Sequence, residues 1–515
     1  MHPRLNAQRF PDKAACIIAE TGQVVTYAEL EADANRSAHL FRSLGLQRGD
    51  VIALLLENNP FLFKAIWAAQ RAGLYATLIS PKLLIDEIDH ILENSGSKLL
   101  ISSPAVGQVA LDAALRHPDL HYFMVDDAVG QFKHYQTAIA SFPETPIAGE
   151  SQGEIMLYSS GTTGRPKGIK PPLPAADKPL LDWPPMAMAF AGMFGMNEKS
   201  IYLSPAPLYH AAPLASCMLV QRFGGTVVVM QKFDPEFALQ LIQDYRVTCS
   251  QWVPTHFVRM LKLPDEIRLK YDISSMKKVV HAAAPCPIAV KDAMIDWWGP
   301  IVDEYYSGTE GAGTTFISAA EWLAHKGSVG RAAPPIVIHI CDDLGNPLPV
   351  GQEGSIYFSG GRDFTYHNDP TKTAAGKTAA GWTTLGDVGR VDKDGYLYLC
   401  DRKDFMIISG GVNIYPQEIE NSMLLHPAIM DVAVFGAPDE EMGERVVAVV
   451  QPVDWASATP ALADEILAFV RGALSHVKTP RSIDFMKELP RTATGKLMKR
   501  ILRDEYRKKT KLQKA

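Results

Sequence analysis

Tyr158-Ser159-Ser160-Gly161-Thr162-Thr163-Gly164-Arg165-Pro166-Lys167-Gly168 puts four Ser/Thr hydroxyls, three glycines and two cations into eleven residues. The preceding Glu154-Ile155-Met156-Leu157 reads as a strand that enters this loop. Glycine lets the backbone turn through positive φ and approach an anion closely. Hydroxyls donate to phosphate oxygens, and lysine supplies fixed positive charge. The stretch therefore reads as a cradle for a polyphosphate. It is not a Walker A loop, which ends in Gly-Lys-Ser/Thr; here the order is Pro166-Lys167-Gly168. A plain surface loop rich in Ser, Thr and Gly is the bland alternative, and it leaves the motifs downstream unexplained.

Outward from this loop, strands and helices alternate. Residues 51–56 read as a buried strand, 61–72 as a helix, 74–79 as a second strand and 99–101 as a third. Leu84, Ile88, Ile91 and Leu92 share one helical face, and Gly96 follows as its stop. Thr26-Tyr27-Ala28-Glu29 has capping-box spacing and opens a helix. Strands separated by helices of this length form parallel β-α-β units. Residues 171–185 hold six prolines and interrupt the alternation as an extended surface excursion. It resumes with a strand over 225–230 and a helix over 235–245.

From 336 to 399 the chain is strand-rich, with turn signals at Asp343-Leu344-Gly345-Asn346 and Asp392-Lys393-Asp394-Gly395. A boundary falls near Asp401-Arg402-Lys403-Asp404. Beyond it a helix around 416–425, strands at 431–435 and 446–450, and a helix over 461–474 make a compact α+β unit. The expected fold class is α/β. A large N-terminal domain (1–401) has parallel sheets and a β-subdomain, and a small α+β domain (402–515) follows.

Composition narrows the function. A chain of 515 residues exceeds what one core usually supports. Hydrophobic content of 47% and charged content of 21% are ordinary for a globular protein. A net charge of −6 gives no electrostatic reason for a nucleic-acid partner. The N-terminal residues lack the apolar core of a secretory signal. No apolar run is long enough to span a bilayer, and the longest, 186–196, reads as a buried Met-rich helix. The six cysteines show no C-x-x-C spacing, as expected of reduced packing residues in a cytoplasmic protein without structural zinc. No G-x-S-x-G elbow and no early G-x-G-x-x-G appear, which disfavours a serine hydrolase and a dinucleotide enzyme.

Further motifs share the chemistry of the opening stretch. Tyr305-Tyr306-Ser307-Gly308-Thr309-Glu310-Gly311 offers an aromatic face, a hydroxyl and a carboxylate. Trp382-Thr383-Thr384-Leu385-Gly386-Asp387 ends in a carboxylate. Asp401-Arg402-Lys403-Asp404 precedes the loop Ser409-Gly410-Gly411-Val412-Asn413, and Pro490-Arg491-Thr492-Ala493-Thr494-Gly495-Lys496 stands near the end. With these five ordered motifs the chain, over nearly its whole length, resembles the acyl-adenylate-forming superfamily, and within it the acyl-CoA synthetases.

The resemblance implies an ATP- and Mg²⁺-dependent ligase that joins a carboxylic acid to CoA through an acyl-AMP. It implies a mobile C-terminal domain and an active site between the two domains. Ser159, Ser160, Gly161, Thr162, Thr163 and Lys167 would hold the β/γ-phosphates. Tyr306 would stack on adenine, Thr309 would meet the α-phosphate and Glu310 would ligate Mg²⁺. Asp387 would bind the ribose, assisted by Arg402, and Lys496 would be the adenylation lysine. Asp404 matches the hinge, and Ser409, Gly410 and Gly411 match the loop at the pantetheine tunnel. Ala283, Ala284 and Pro285 match the segment between adenine and the acyl pocket, and His210 an aromatic position beside the substrate carboxylate.

Ala282 departs from the glycine of many relatives; its methyl narrows the acyl pocket or fills a gap, and both readings stay open. His281 and Cys286 read as packing, and Trp252 and Phe257 as core or pocket lining. The segment Leu208-Tyr209-His210-Ala211-Ala212-Pro213 is similar to fatty acyl-CoA synthetases, so a fatty or other lipophilic acid is expected. Two alternatives stand beside this: a free-standing adenylating ligase that loads a carrier protein, and a non-catalytic nucleotide-binding protein.

Overall fold

The computed structural model describes residues 2–159, 166–182, 185–491 and 497–512. Two compact units divide it: one comprises Met1–Trp252, Leu269–Val280 and Phe364–Thr373, the other Val253–Arg268, His281–Asp363 and Ala374–Ala515.

In the first unit the apolar runs make parallel strands, as their burial on both faces requires. Val51–Leu55 is buried along its whole length and lies between Tyr75–Ile79 and Ser97–Ser102, parallel to both. Among the described residues this sheet runs, in spatial order, Lys133–His134, His121–Met124, Ser97–Ser102, Val51–Leu55, Tyr75–Ile79, Glu154–Ser159 and Lys167–Ile169. The last pair is an antiparallel hairpin at the sheet edge.

The helices carry the expected signals. Thr26 caps Tyr27–Ser43 with a full capping box, an arrangement worth about 1 kcal/mol. Gly96 ends Ile85–Ser95 in a left-handed conformation. Phe61–Arg71 is buried on every side, which explains its apolar composition. A second sheet of this unit pairs Ala14–Ile18 with Thr226–Val229, and Thr226–Val229 with Ile201–Ser204, all parallel. The segment 186–196 is helical over Pro185–Phe194; Ala191 and Phe194 are buried whereas Met188 is 52% exposed, so the helix has an open side.

In the second unit Val337–Cys341, Gly354–Ser359, Thr383–Val391 and Leu397–Arg402 form an antiparallel sheet, the expected β-subdomain. Val302–Ser307 pairs antiparallel with Thr314–Ile317. Past residue 402, the long hairpin Ile429–Asp439/Gly443–Pro452 packs against Pro416–Met423 and Pro460–Ala473 through Ile419, Met423, Val434, Ala448, Ile466 and Val470. A strand not foreseen, Ser482–Phe485, adds parallel to Gly443–Pro452. The fold is thus mixed α/β, with a large parallel-sheet N-terminal part and a smaller C-terminal part.

Candidate active site

The strands Glu154–Ser159 and Lys167–Ile169, on either side of the expected phosphate loop, pair antiparallel. Ser159 and Lys167 are directly opposed in this ladder. Lys167 Nζ stands 5.1 Å from the centroid of the Tyr366 ring, within cation–π range. His90 holds the Pro166 carbonyl at 3.0 Å, and Tyr158 donates to Asn94 Oδ1 at 2.7 Å. His367 N–H donates to the Gly168 carbonyl at 2.8 Å. Tyr366, His90 and Asn94 were not foreseen, because residues this distant in sequence leave no local signal. Ser160, Gly161, Thr162 and Thr163 lie outside the described residues.

His210 is the residue before the helix Ala211–Phe223, in extended conformation. Its ring centroid lies 4.8 Å from that of Tyr209. Asn58 holds this loop: Nδ2 donates to the carbonyls of Met230 at 2.7 Å and Ala206 at 3.3 Å, and Oδ1 accepts from Leu208 N–H at 2.8 Å.

In the second unit three of the expected nucleotide residues, from separate segments, meet. Asp387 and Arg402 are opposed on adjacent antiparallel strands, with Arg402 Nε 3.3 Å from Asp387 Oδ1. Tyr306 donates its hydroxyl to Asp387 Oδ2 at 2.5 Å. Burial and then the adjacent Asp387 charge push the Tyr306 phenol well above its ordinary value, so it stays a donor. The Tyr306 ring packs against the buried cluster that includes Ile340, Ile356 and Phe358, its centroid 6.2 Å from that of Phe358. A Cβ at Gly308 would stand 2.7 Å from Leu385 Cδ2 and 2.8 Å from Glu310 Oε2, so those two side-chain ends would have to move aside. The bare Cα of Gly308 makes room for the Glu310 carboxylate beside the Tyr306 strand. Thr309 is exposed in the same turn.

The Ala282–Pro285 segment leaves the strand Lys278–His281. Ala282 is buried at 4%, and Ala283 adopts φ +75°, a left-handed conformation that costs a non-glycine residue about 1–2 kcal/mol. Ala284 is exposed and Pro285 half-buried.

His281 packs, as expected, but not only against apolar groups. Its Nε2 lies 3.3 Å from Glu304 Oε2, which Lys291 Nζ approaches to 2.6 Å, all three being buried. Burial pushes the His281 imidazole down, so Lys291 is the cation. Burial alone would raise the Glu304 carboxyl, but its two basic neighbours hold it below the usual range. Trp252 and Phe257 are fully buried, and Phe257 packs edge-on to His281 at 5.5 Å.

Asp404 lies in the short 3₁₀ turn Lys403–Phe405, and its carbonyl accepts from Arg503 at 3.1 Å. Ser409 and Val412 close a two-residue hairpin in which Gly410 and Gly411 have φ of 57° and 78°. Positive φ at both positions is the tight hairpin turn that Gly-Gly favours. Lys496 lies outside the described residues.

The AMP-binding enzyme family matches residues 4–362, and the AMP-binding enzyme C-terminal domain matches 418–496. A feruloyl-CoA synthase of an Amycolatopsis species is 31% identical over 96% of this chain and 96% of its own. The long-chain-fatty-acid–CoA ligase FadD13 of Mycobacterium tuberculosis is 29% identical over 98% of this chain and 97% of its own. The o-succinylbenzoate CoA synthetase MenE of Bacillus subtilis, solved with its acyl-adenylate OSB-AMP, superposes with a TM-score of 0.79 at 27% identity, covering 98% of this chain and 97% of that one. The chain belongs to the AMP-binding enzyme family. It is an AMP-forming acid–thiol ligase of the acyl- or aryl-CoA kind, with a small carboxylic acid, ATP and CoA as substrates. Among the described residues no helix is long and apolar enough to cross a membrane.

Proposed function

We propose that this protein activates a lipophilic carboxylic acid, fatty or aromatic, as acyl-AMP and passes the acyl group to CoA. The observation that carries this reading is the meeting of Tyr306, Asp387 and Arg402. In it the Asp387 carboxylate is oriented from two sides, next to an aromatic face, as ribose and adenine recognition requires. The choice of acid rests on the 208–213 segment, and on relatives named for feruloyl and long-chain fatty acyl groups.

A carboxylate is a poor acyl donor because its leaving group is oxide. Joining it to AMP supplies a good one. The acid and the triphosphate repel, and in this reading Lys167 and Lys496 offset that repulsion as charge builds on the α-phosphate and the departing pyrophosphate. Removing one such donor typically costs about 3–4 kcal/mol of barrier. Ser159, Ser160, Gly161, Thr162 and Thr163 hold the β/γ-phosphates, Thr309 the α-phosphate, and His210 lies on the acid side. Glu310 fits Mg²⁺, a hard oxygen-seeking ion, because it offers a carboxylate in the turn that follows the Tyr306 strand. Bound there, the ion would neutralise phosphate charge.

In the second half-reaction the thiolate of CoA attacks the acyl-AMP carbonyl and AMP leaves. We place the domain boundary between 401 and 402, with the hinge at Asp404. The separate core of Ile407, Ile419, Val434, Ala448 and Ile466 supports a C-terminal body that turns as one piece. Turning would withdraw Lys496 and present Ser409, Gly410 and Gly411 to the pantetheine arm. Six free cysteines accord with a cytoplasmic location.

The test is pyrophosphate release over a panel of straight-chain, aromatic and sterol-derived acids, with and without CoA or a carrier protein. Release that depends on an apolar acid, with CoA consumed, supports the reading. Release only with small polar acids, or acylation of the carrier protein alone, would overturn it.

A further inference from the structure

The two ends of the segment 282–287 are tied to one carboxylate oxygen. Before the segment, His281 Nε2 lies 3.3 Å from Glu304 Oε2. After it, Lys291 Nζ, on the helix Ile288–Trp298, lies 2.6 Å from the same oxygen. Lys291 N–H also donates to the Pro287 carbonyl at 3.0 Å, so the cation is fixed to the end of the segment itself. All three side chains are buried. Glu304 stands two residues before Tyr306 on the strand Val302–Ser307, so their side chains leave the same face. Inside the segment Ala283 keeps φ +75° although its own side chain is exposed.

We propose that Glu304, with His281 and Lys291, is a buried clamp that positions the 282–285 segment relative to Tyr306 and so sets the adenine slot. This rests on the nucleotide assignment of Tyr306 and 283–285 above. The three are positioning residues and do not touch the reacting atoms. An exposed methyl cannot hold Ala283 in a left-handed backbone. Such a conformation persists only where the surroundings over-determine it, and it gathers at ligand sites. Here the surroundings are the two tied ends. Stability does not account for the clamp. A buried ion pair commonly contributes no more than apolar residues of the same volume. His281 Nδ1 is buried with no hydrogen-bond partner among the described residues, which is a further cost. What a shared oxygen does supply is a fixed separation between the strand that carries Tyr306 and the segment beside it.

The test uses full-length Lys291→Met/Glu304→Leu, which removes the clamp and keeps the interior filled. Pyrophosphate release is measured with ATP and with the panel acid that turns over fastest, each varied in turn. KM for ATP is expected to rise about tenfold, the scale of one left-handed alanine no longer held, while KM for the acid holds. Loss of folded protein lowers kcat and leaves KM, so the split separates misplacement from instability. Adding Ala283→Gly, which takes positive φ without strain, should recover part of the ATP KM. Should the double variant fold poorly, Glu304→Gln reads the same contact through the same two KM values. An unchanged KM for ATP, a rise in the acid's KM alone, or no recovery with Ala283→Gly would overturn the clamp. Tyr306→Ala, run alongside, distinguishes the failures. If it leaves KM for ATP unchanged, the nucleotide assignment falls and the clamp with it. If it raises that KM while the clamp variants do not, the clamp alone falls.

Discussion

The Tyr306 hydroxyl and Asp387 Oδ2 stand 2.5 Å apart, so the aromatic wall and the carboxylate of the proposed nucleotide site are one hydrogen-bonded body. The bond fixes the carboxylate rotamer before any ribose arrives. Tyr306→Phe keeps the ring and removes only the donor. A hydrogen bond to a charged acceptor is worth about 1.5–3 kcal/mol, so KM for ATP should rise about tenfold to a hundredfold. The acid's KM should not move. Steady-state kinetics with each substrate varied in turn checks both; a change in the acid's KM alone would count against the nucleotide role.

The Ser409–Gly411 turn sets up a second expectation. A Cβ at Gly410 would stand 2.4 Å from Met442 Cε, and the backbone there has φ 57°. Gly410→Ala therefore meets a left-handed alanine at about 1–2 kcal/mol and a smaller cost for moving aside the Met442 methyl, the end of a flexible side chain. Adding Met442→Ala removes the second and leaves the first. If the turn serves CoA, thioester formation from acyl-AMP should lose more than pyrophosphate exchange in Gly410→Ala and recover in part in the double variant. A single-turnover assay of each half-reaction decides it; full recovery would mean the backbone conformation does not matter.

Element type was legible wherever burial imposed a strong pattern. The continuous run 51–55, the Gly96 stop and the Thr26 capping box all formed as their residues dictate. Asp387 and Arg402 were legible as motifs, but nothing local announced that they oppose each other across a ladder. Tyr366 under Lys167, and Glu304 with Lys291 behind His281, were illegible for the same reason. Each contact is made by the fold between segments that share no sequence pattern. The left-handed backbone at Ala283, next to the Ala282 that departs from relatives, has no signal in the residue types around it.

The Lys291–Glu304 pair yields a stability prediction. Lys291 is 0% exposed, and Glu304→Gln leaves its charge buried beside a neutral histidine and an amide. Breaking one side of such a pair typically costs about 3–5 kcal/mol. The double variant Lys291→Met/Glu304→Leu, which removes both charges, should regain most of that. Urea unfolding of the three proteins checks the order. A double variant less stable than the single one would mean that the pair does more than neutralise itself.

Glu420 gives the pH dependence. Burial pushes its carboxyl up to about 7, against the opposing pull of Lys499, while Asp401 adds to the rise and Val434 N–H opposes it. A carboxyl that holds its proton more tightly folded than unfolded contributes stability fully below about pH 4.5, and that contribution is lost as pH climbs through about 7. Relative to Glu420→Gln, which cannot titrate, the wild type should therefore lose stability over this interval. Guanidinium unfolding measured from pH 5 to 8 on both proteins gives the two curves. If the wild type and Glu420→Gln run parallel over that range, Glu420 is not the titrating group.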